Sequence, residues 1–130
     1  MKSEFQFSPA LDVYTRICAL VPRIPDFGHV DLKQIICYRS EGSSSRATAR
    51  IWSLPRIWQE ALRVSPHYVI EVIAKRFDHL THDDQDRVLI HELMHIPKTF
   101  SGALVPHRCF QKRINHKTVE KIFKTYQNRT

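Results

Sequence analysis

The residues best suited to chemistry are His91, Glu92 and His95, in the run His91-Glu92-Leu93-Met94-His95. On an α-helix, positions four apart differ by about 6 Å of rise and roughly 40° of rotation, so both imidazoles leave one face. Paired imidazoles at this spacing are metal ligands, and zinc suits a nitrogen set completed by one further protein group and a water. Glu92 lies about 100° round the helix, off the ligand ridge but within reach of a water held by the metal. The chemistry this trio supports is hydrolysis. Zinc lowers the pKa of its water towards about 7, Glu92 takes the proton as general base, and the oxygen attacks a polarised peptide carbonyl.

Such a site needs a buried helix, and the flanking residues supply one. Thr81 is a candidate N-cap with Asp84 three residues on, and Asp83, Asp84 and Asp86 place negative charge where the helix dipole favours it. Leu89, Leu93 and Ile96 form one apolar ridge, Ile90 and Met94 a second, and Val88 precedes the histidine pair by one turn. Two histidines and a glutamate on so apolar a helix must be paired or coordinated, because burial removes their hydration. Pro97 stops the helix directly after His95.

A catalytic zinc takes three protein ligands and leaves a fourth position for water. After the stop, Thr99, Ser101 and Gly102 let the chain turn back, and the next metal-capable residue is His107. Glu120 and His116 are the alternatives for the third ligand. His116, Tyr68 or Tyr126 could donate a hydrogen bond to the tetrahedral oxyanion. His29, His67, His79 and His82 read as surface or satisfied side chains.

The rest of the chain supplies the frame. Ser8-Pro9 signals a helix start, followed by Leu11, Tyr14, Ile17, Cys18 and Val21 at helical spacing, with Pro22 as its end. Asp31 to Arg39 and Ala47 to Ser53 read as two strands joined by a hairpin loop at 41–45. A short helix is expected over Leu54 to Leu62, and the strongest strand signal is His67 to Ala74, expected at an exposed edge where it could pair with an extended substrate. Asn115 is a plausible N-cap for a last helix whose Val119, Ile122, Phe123 and Tyr126 oppose Lys117, Lys121 and Lys124. The expected fold is α+β, a single domain over 1–130 with a small twisted sheet of about three strands packed on the histidine-bearing helix and helices at both ends.

At 130 residues there is room for one modest core and no visible repeat. Cys18, Cys37 and Cys109 are an odd number without Cys-x-x-Cys spacing, which argues against a disulfide framework or a zinc ribbon. No run approaches the roughly 18 apolar residues of a membrane span, and Met1 to Phe7 lacks a long apolar stretch, so a cytoplasmic monomer is expected. The net charge is +7, and the surplus before residue 81 is cancelled by the acids of 81–97. The excess therefore lies in the basic segment 98–130, where it either solvates a one-faced helix or draws DNA non-specifically to the protein.

Tyr68-Val-Ile-Glu-Val, Phe77-Asp78-His79-Leu80, Val88-Leu-Ile-His91-Glu-Leu-Met-His95-Ile-Pro97, Phe100-Ser-Gly102 and Pro106-His107 together resemble the small phage-type metallopeptidases, distant relatives of the SprT-like zinc proteases. The resemblance covers most of 8–127 and is densest over 66–107. It implies a minimal zincin-like fold and a zinc-dependent peptidase with His91 and His95 as ligands. It further implies Glu92 as catalytic acid/base and the histidine after the loop as third ligand. The metzincin pattern is not met, since Lys98 and Ser101 stand where it asks for glycine and histidine. Two other classes compete: a nucleic-acid-binding protein with structural zinc, disfavoured by Glu92 and the lack of cysteine ligands, and an interaction module with an idle site.

Overall fold

A computed structural model describes residues 4–109 and 112–128, with the side chains of Cys109 and Lys112 left aside. Arg129 of the basic segment and the first three residues of the N-terminal stretch lie outside the described residues. The fold is α+β: a four-stranded mixed sheet and five helices, with a two-residue pairing of β5 (Arg108–Cys109) and β6 (Lys112–Arg113) beside them. Among the described residues, no helix is long and apolar enough to cross a membrane.

The sheet runs in the order β1 (Gln6–Pro9), β2 (Ile35–Glu41), β4 (Tyr68–Ile73), β3 (Ala49–Trp52). β4 is therefore central, parallel to β2 on one side and antiparallel to β3 on the other. Two expectations fall here. β2 and β3 form no hairpin with each other, and the strand over 67–74 is not an edge open to substrate. The physical reason is burial on both faces. Tyr68, Ile70 and Val72 are fully buried beneath the sheet, and Glu71 and Ile73 are buried as well, so β4 stabilises the fold most in the middle.

The N-terminal expectation is also corrected. Ser8-Pro9 closes edge strand β1, where proline's missing N–H costs little, and helix α1 (Leu11–Leu20) begins after a buried Ala10. Val13, Ile17 and Leu20 form its buried stripe while Leu11 is exposed. α1 is tied to the long helix α4 (His82–Met94) by Arg16, which bonds Gln85, the His82 carbonyl at 2.7 Å and the buried Asp86. The start of α4 is as the sequence implies: the Thr81 hydroxyl accepts from the Asp84 amide at 3.2 Å. Leu89, Ile90, Leu93 and Met94 carry α4 into the core against the inner side of the sheet.

Helix α5 (His116–Asn128) closes the structure. Asn115 and Thr118 cap it reciprocally, each side-chain oxygen accepting the other's amide at 3.0 Å. Val119 and Phe123 are buried beneath it, whereas Lys117, Lys121 and Lys124 are exposed. The short helices α2 (Arg56–Leu62) and α3 (Ala74–Phe77) flank β4.

Candidate metal centre

Helix α4 presents His91 and His95 from one face, as their spacing requires, with ring centroids 5.3 Å apart. The chain then leaves the helix and returns. Its return is fixed by two bonds between one pair of residues: the Val105 amide donates to the His95 carbonyl at 2.7 Å, and His95 Nδ1 donates to the Val105 carbonyl at 2.6 Å. His107 follows two residues later and closes the group. Its ring centroid is 4.5 Å from that of His95 and 5.2 Å from that of His91.

Each of the three imidazoles offers one nitrogen, and these nitrogens all lie within 4.8 Å of one another. With Nδ1 of His95 committed to Val105, Nε2 is the nitrogen left with a free lone pair, the arrangement a metal-binding histidine uses. His91 Nε2 and His107 Nε2 are 3.1 Å apart. Two nitrogens about 2.05 Å from one tetrahedral ion would be roughly 3.3 Å apart, so the donor set fits a first-row divalent ion. A single shared proton could satisfy two of these nitrogens, whereas a cation satisfies all three.

The electrostatics agree. Burial, then the neighbouring His95 and His107, pull His91 down to about 4, and burial lowers His95 as well. Both rings are thus neutral over the physiological range, the state in which imidazole binds metal. Glu92 is 9% exposed and receives no hydrogen bond among the described residues, and burial pushes its carboxyl up to about 7.

The loop between the histidines is held from below. The Tyr68 hydroxyl accepts from the Gly102 amide at 2.9 Å and donates to the Ala103 carbonyl at 2.7 Å, while Phe100 packs edge-on against its ring. Gln59 of α2 donates to the Leu54 and Ser101 carbonyls, both at 2.8 Å, and His29 Nε2 bonds the Ile96 carbonyl at 3.0 Å. Tyr68 is therefore a support of the loop, with both hydrogen-bonding capacities of its hydroxyl engaged there.

The remaining candidates sit elsewhere. Glu120 is bound to Arg87 at 2.8 Å, and Arg87 in turn lies over the Phe123 ring. That guanidinium holds the Glu120 carboxyl below its usual range, with nearby Lys124 and His116 adding to the effect. His116 is exposed at the start of α5, and Tyr126 packs half-buried on the core. Sequence reasoning passed over Gln59 and Val105, and it read His29 as a surface or satisfied side chain, which its bond to Ile96 makes it. The proline and glycine of the loop pointed to a return of the chain, but nothing local told which residues would anchor it.

Comparison with known proteins gives one finding that bears on this geometry. No curated protein and no solved structure matches the chain. Residues 5–127, nearly the whole chain, match the family described as "Putative phage metallopeptidase", and the chain belongs to that family.

Proposed function

We propose that this metallopeptidase is a zinc enzyme in which Nε2 of His91, His95 and His107 hold the ion and Glu92 is the general base. The observation that carries the proposal is the convergence of three imidazoles, His91 and His95 held neutral by burial, next to a buried carboxylate that has no hydrogen-bond partner among the described residues. When bound, zinc supplies Lewis acidity, activating a water and polarising the scissile carbonyl. Glu92 removes the proton from the attacking water as its oxygen bonds the carbonyl carbon. It then delivers that proton to the amide nitrogen as the C–N bond breaks, leaving a carboxylate and an amine. A cation beside Glu92 favours its ionised form, which is the form a base needs. His95 keeps its orientation through Val105, so this ligand does not have to reorient during binding.

The substrate is an unfolded or extended polypeptide. β3 is the sheet edge on the side of β4, and α4 packs against it, so backbone pairing along Ala49–Trp52 would bring a peptide towards the histidine cluster. The lysines of α5 lie opposite its buried stripe, and we assign them to solvation. DNA guidance would instead show as binding that weakens steeply with salt and is lost on reversing Lys117, Lys121 and Lys124.

Metal analysis tests the ligand set. The wild-type chain should carry one equivalent of zinc after growth in zinc-replete medium, and His107→Ala should lose it while keeping its helical signal. Zinc well below one equivalent in wild type would reject the site.

A further inference from the structure

The sheet has a second face, turned away from α1 and α4. Strand alternation sends Tyr68, Ile70 and Val72 into the core and Val69 and Glu71 to the other side, joined by Tyr38 from β2 and Trp52 from β3. With Phe7 of β1 these residues line a groove of about 540 Å³. Its walls are aromatic and largely open: Trp52 is 49% exposed and Phe7 57%. At its base lies a carboxylate. Glu71 is only 4% exposed, and Trp52 Nε1 donates to its Oε1 at 2.8 Å.

A buried carboxylate ordinarily gathers several donors or a cation. Glu71 has neither among the described residues. Trp52 is its one hydrogen-bond donor, and no basic side chain forms an ion pair with it. Arg50 stands opposite Glu71 in the strand register, yet its guanidinium bonds the Ser45 hydroxyl instead. The Trp52 bond alone would suffice to staple β3 to β4, and it leaves Oε2 without a donor.

We infer that this groove binds a cationic side chain of a polypeptide, its ammonium or guanidinium seated between Phe7, Tyr38 and Trp52 and neutralised by Glu71. Aromatic faces attract cations, most of all where water is excluded, and a nearly buried carboxylate that opens only into the groove selects positive charge over a neutral side chain of equal size. A polypeptide rather than a free amine is indicated because the groove continues into a second apolar hollow of about 280 Å³, which shares Trp52 and Val69 and adds Ile36 and Val64. That length accommodates apolar neighbours of the cation. The chain's net charge of +7 repels cations at long range, so selection for one must arise locally. The groove and the histidine cluster lie on opposite sides of the sheet, so the two sites do not share side chains.

The experiment is fluorescence anisotropy with fluorescein-labelled pentapeptides of sequence Ser-Leu-X-Leu-Ser, X being lysine, arginine or norleucine. The protein is the full zinc-loaded chain carrying Glu92→Gln to guard against cleavage. The lysine and arginine probes should bind at least tenfold tighter than the norleucine probe. Glu71→Gln, whose amide oxygen still accepts from Trp52, should abolish that preference. Phe7→Leu, at an exposed position, should weaken the cationic probes severalfold with the near-ultraviolet circular dichroism unchanged. Equal affinity for all three probes, or a preference that survives Glu71→Gln, would overturn the inference. So would sedimentation showing a homodimer that Trp52→Ala dissociates, because the face would then be an interface between copies.

Discussion

His95 and Val105 clasp each other through two hydrogen bonds, amide to carbonyl at 2.7 Å and imidazole to carbonyl at 2.6 Å. One side chain thereby does two things. It closes the loop that returns His107 to the helix, and it fixes which of its own nitrogens faces the other histidines. With the proposed ligand set, metal affinity would depend on loop anchorage as well as on the ligands.

Tyr68→Phe tests that dependence. Removing the hydroxyl leaves the Gly102 amide and the Ala103 carbonyl without their partner, at a cost of about 1–3 kcal/mol. Chemical denaturation should show that loss, and zinc titration should show weaker binding. Were Tyr68 instead an oxyanion donor, zinc affinity would be unchanged and kcat alone would fall by about 10²–10³.

Gly102 is the loop's steric pivot. Its φ is +93°, and a Cβ there would stand 2.5 Å from the Leu54 carbonyl oxygen and 2.2 Å from Gln59 Nε2. Gly102→Ala should cost more than about 1 kcal/mol and lower zinc affinity, read by thermal denaturation with and without zinc. Unchanged stability would mean that the loop does not hold this conformation.

Glu92 gives the metal-free protein a pH signature. Burial holds its carboxyl near 7 in the folded chain against 4.5 when unfolded. Between those values the unfolded chain has released a proton that the folded chain keeps, so this contribution to stability falls as pH rises through the window. His91 and His95 act in the opposite sense, since below about 6.5 the unfolded chain takes up protons that the folded chain refuses. Comparison with Glu92→Gln isolates the carboxyl: without metal the variant should gain on wild type from pH 4.5 to 7.5, by roughly 3 kcal/mol. Zinc should abolish the difference, and parallel stability curves without zinc would contradict the assigned burial.

Glu120→Ala and His107→Ala should part company. The first removes the partner of Arg87 and should leave zinc bound, while the second should lose it. Zinc loss in Glu120→Ala with His107→Ala still loaded would transfer the third ligand to the glutamate.

What could be read from the sequence was local. The Thr81 and Asn115 caps and the histidine spacing follow from residues within a few positions of each other, while the return to His107, twelve positions beyond His95, was signalled only by the loop's glycine and the next metal-capable residue. Sheet order could not be read that way, because β4 follows both β2 and β3 in the chain yet lies between them in the sheet. Its unbroken run Tyr68-Val-Ile-Glu-Val-Ile was the available sign of a central strand, set against an alternation that fits an edge equally well. Ser8-Pro9 suits both a helix start and a strand end, and pairing with Tyr38 and Arg39 decides between them. The hydroxyl of Tyr68 looked free for catalysis because its partners, Gly102 and Ala103, lie more than thirty positions away.

The most direct test of the central claim is hydrolysis of an unstructured polypeptide by wild type and Glu92→Gln, with zinc measured in both samples. The account predicts one equivalent of zinc in each and cleavage by wild type alone, since the amide fills the same space and cannot accept the proton. Cleavage by Glu92→Gln at the wild-type rate would remove Glu92 from the mechanism. A zinc-loaded wild type that leaves such substrates uncut would contradict the peptidase assignment itself.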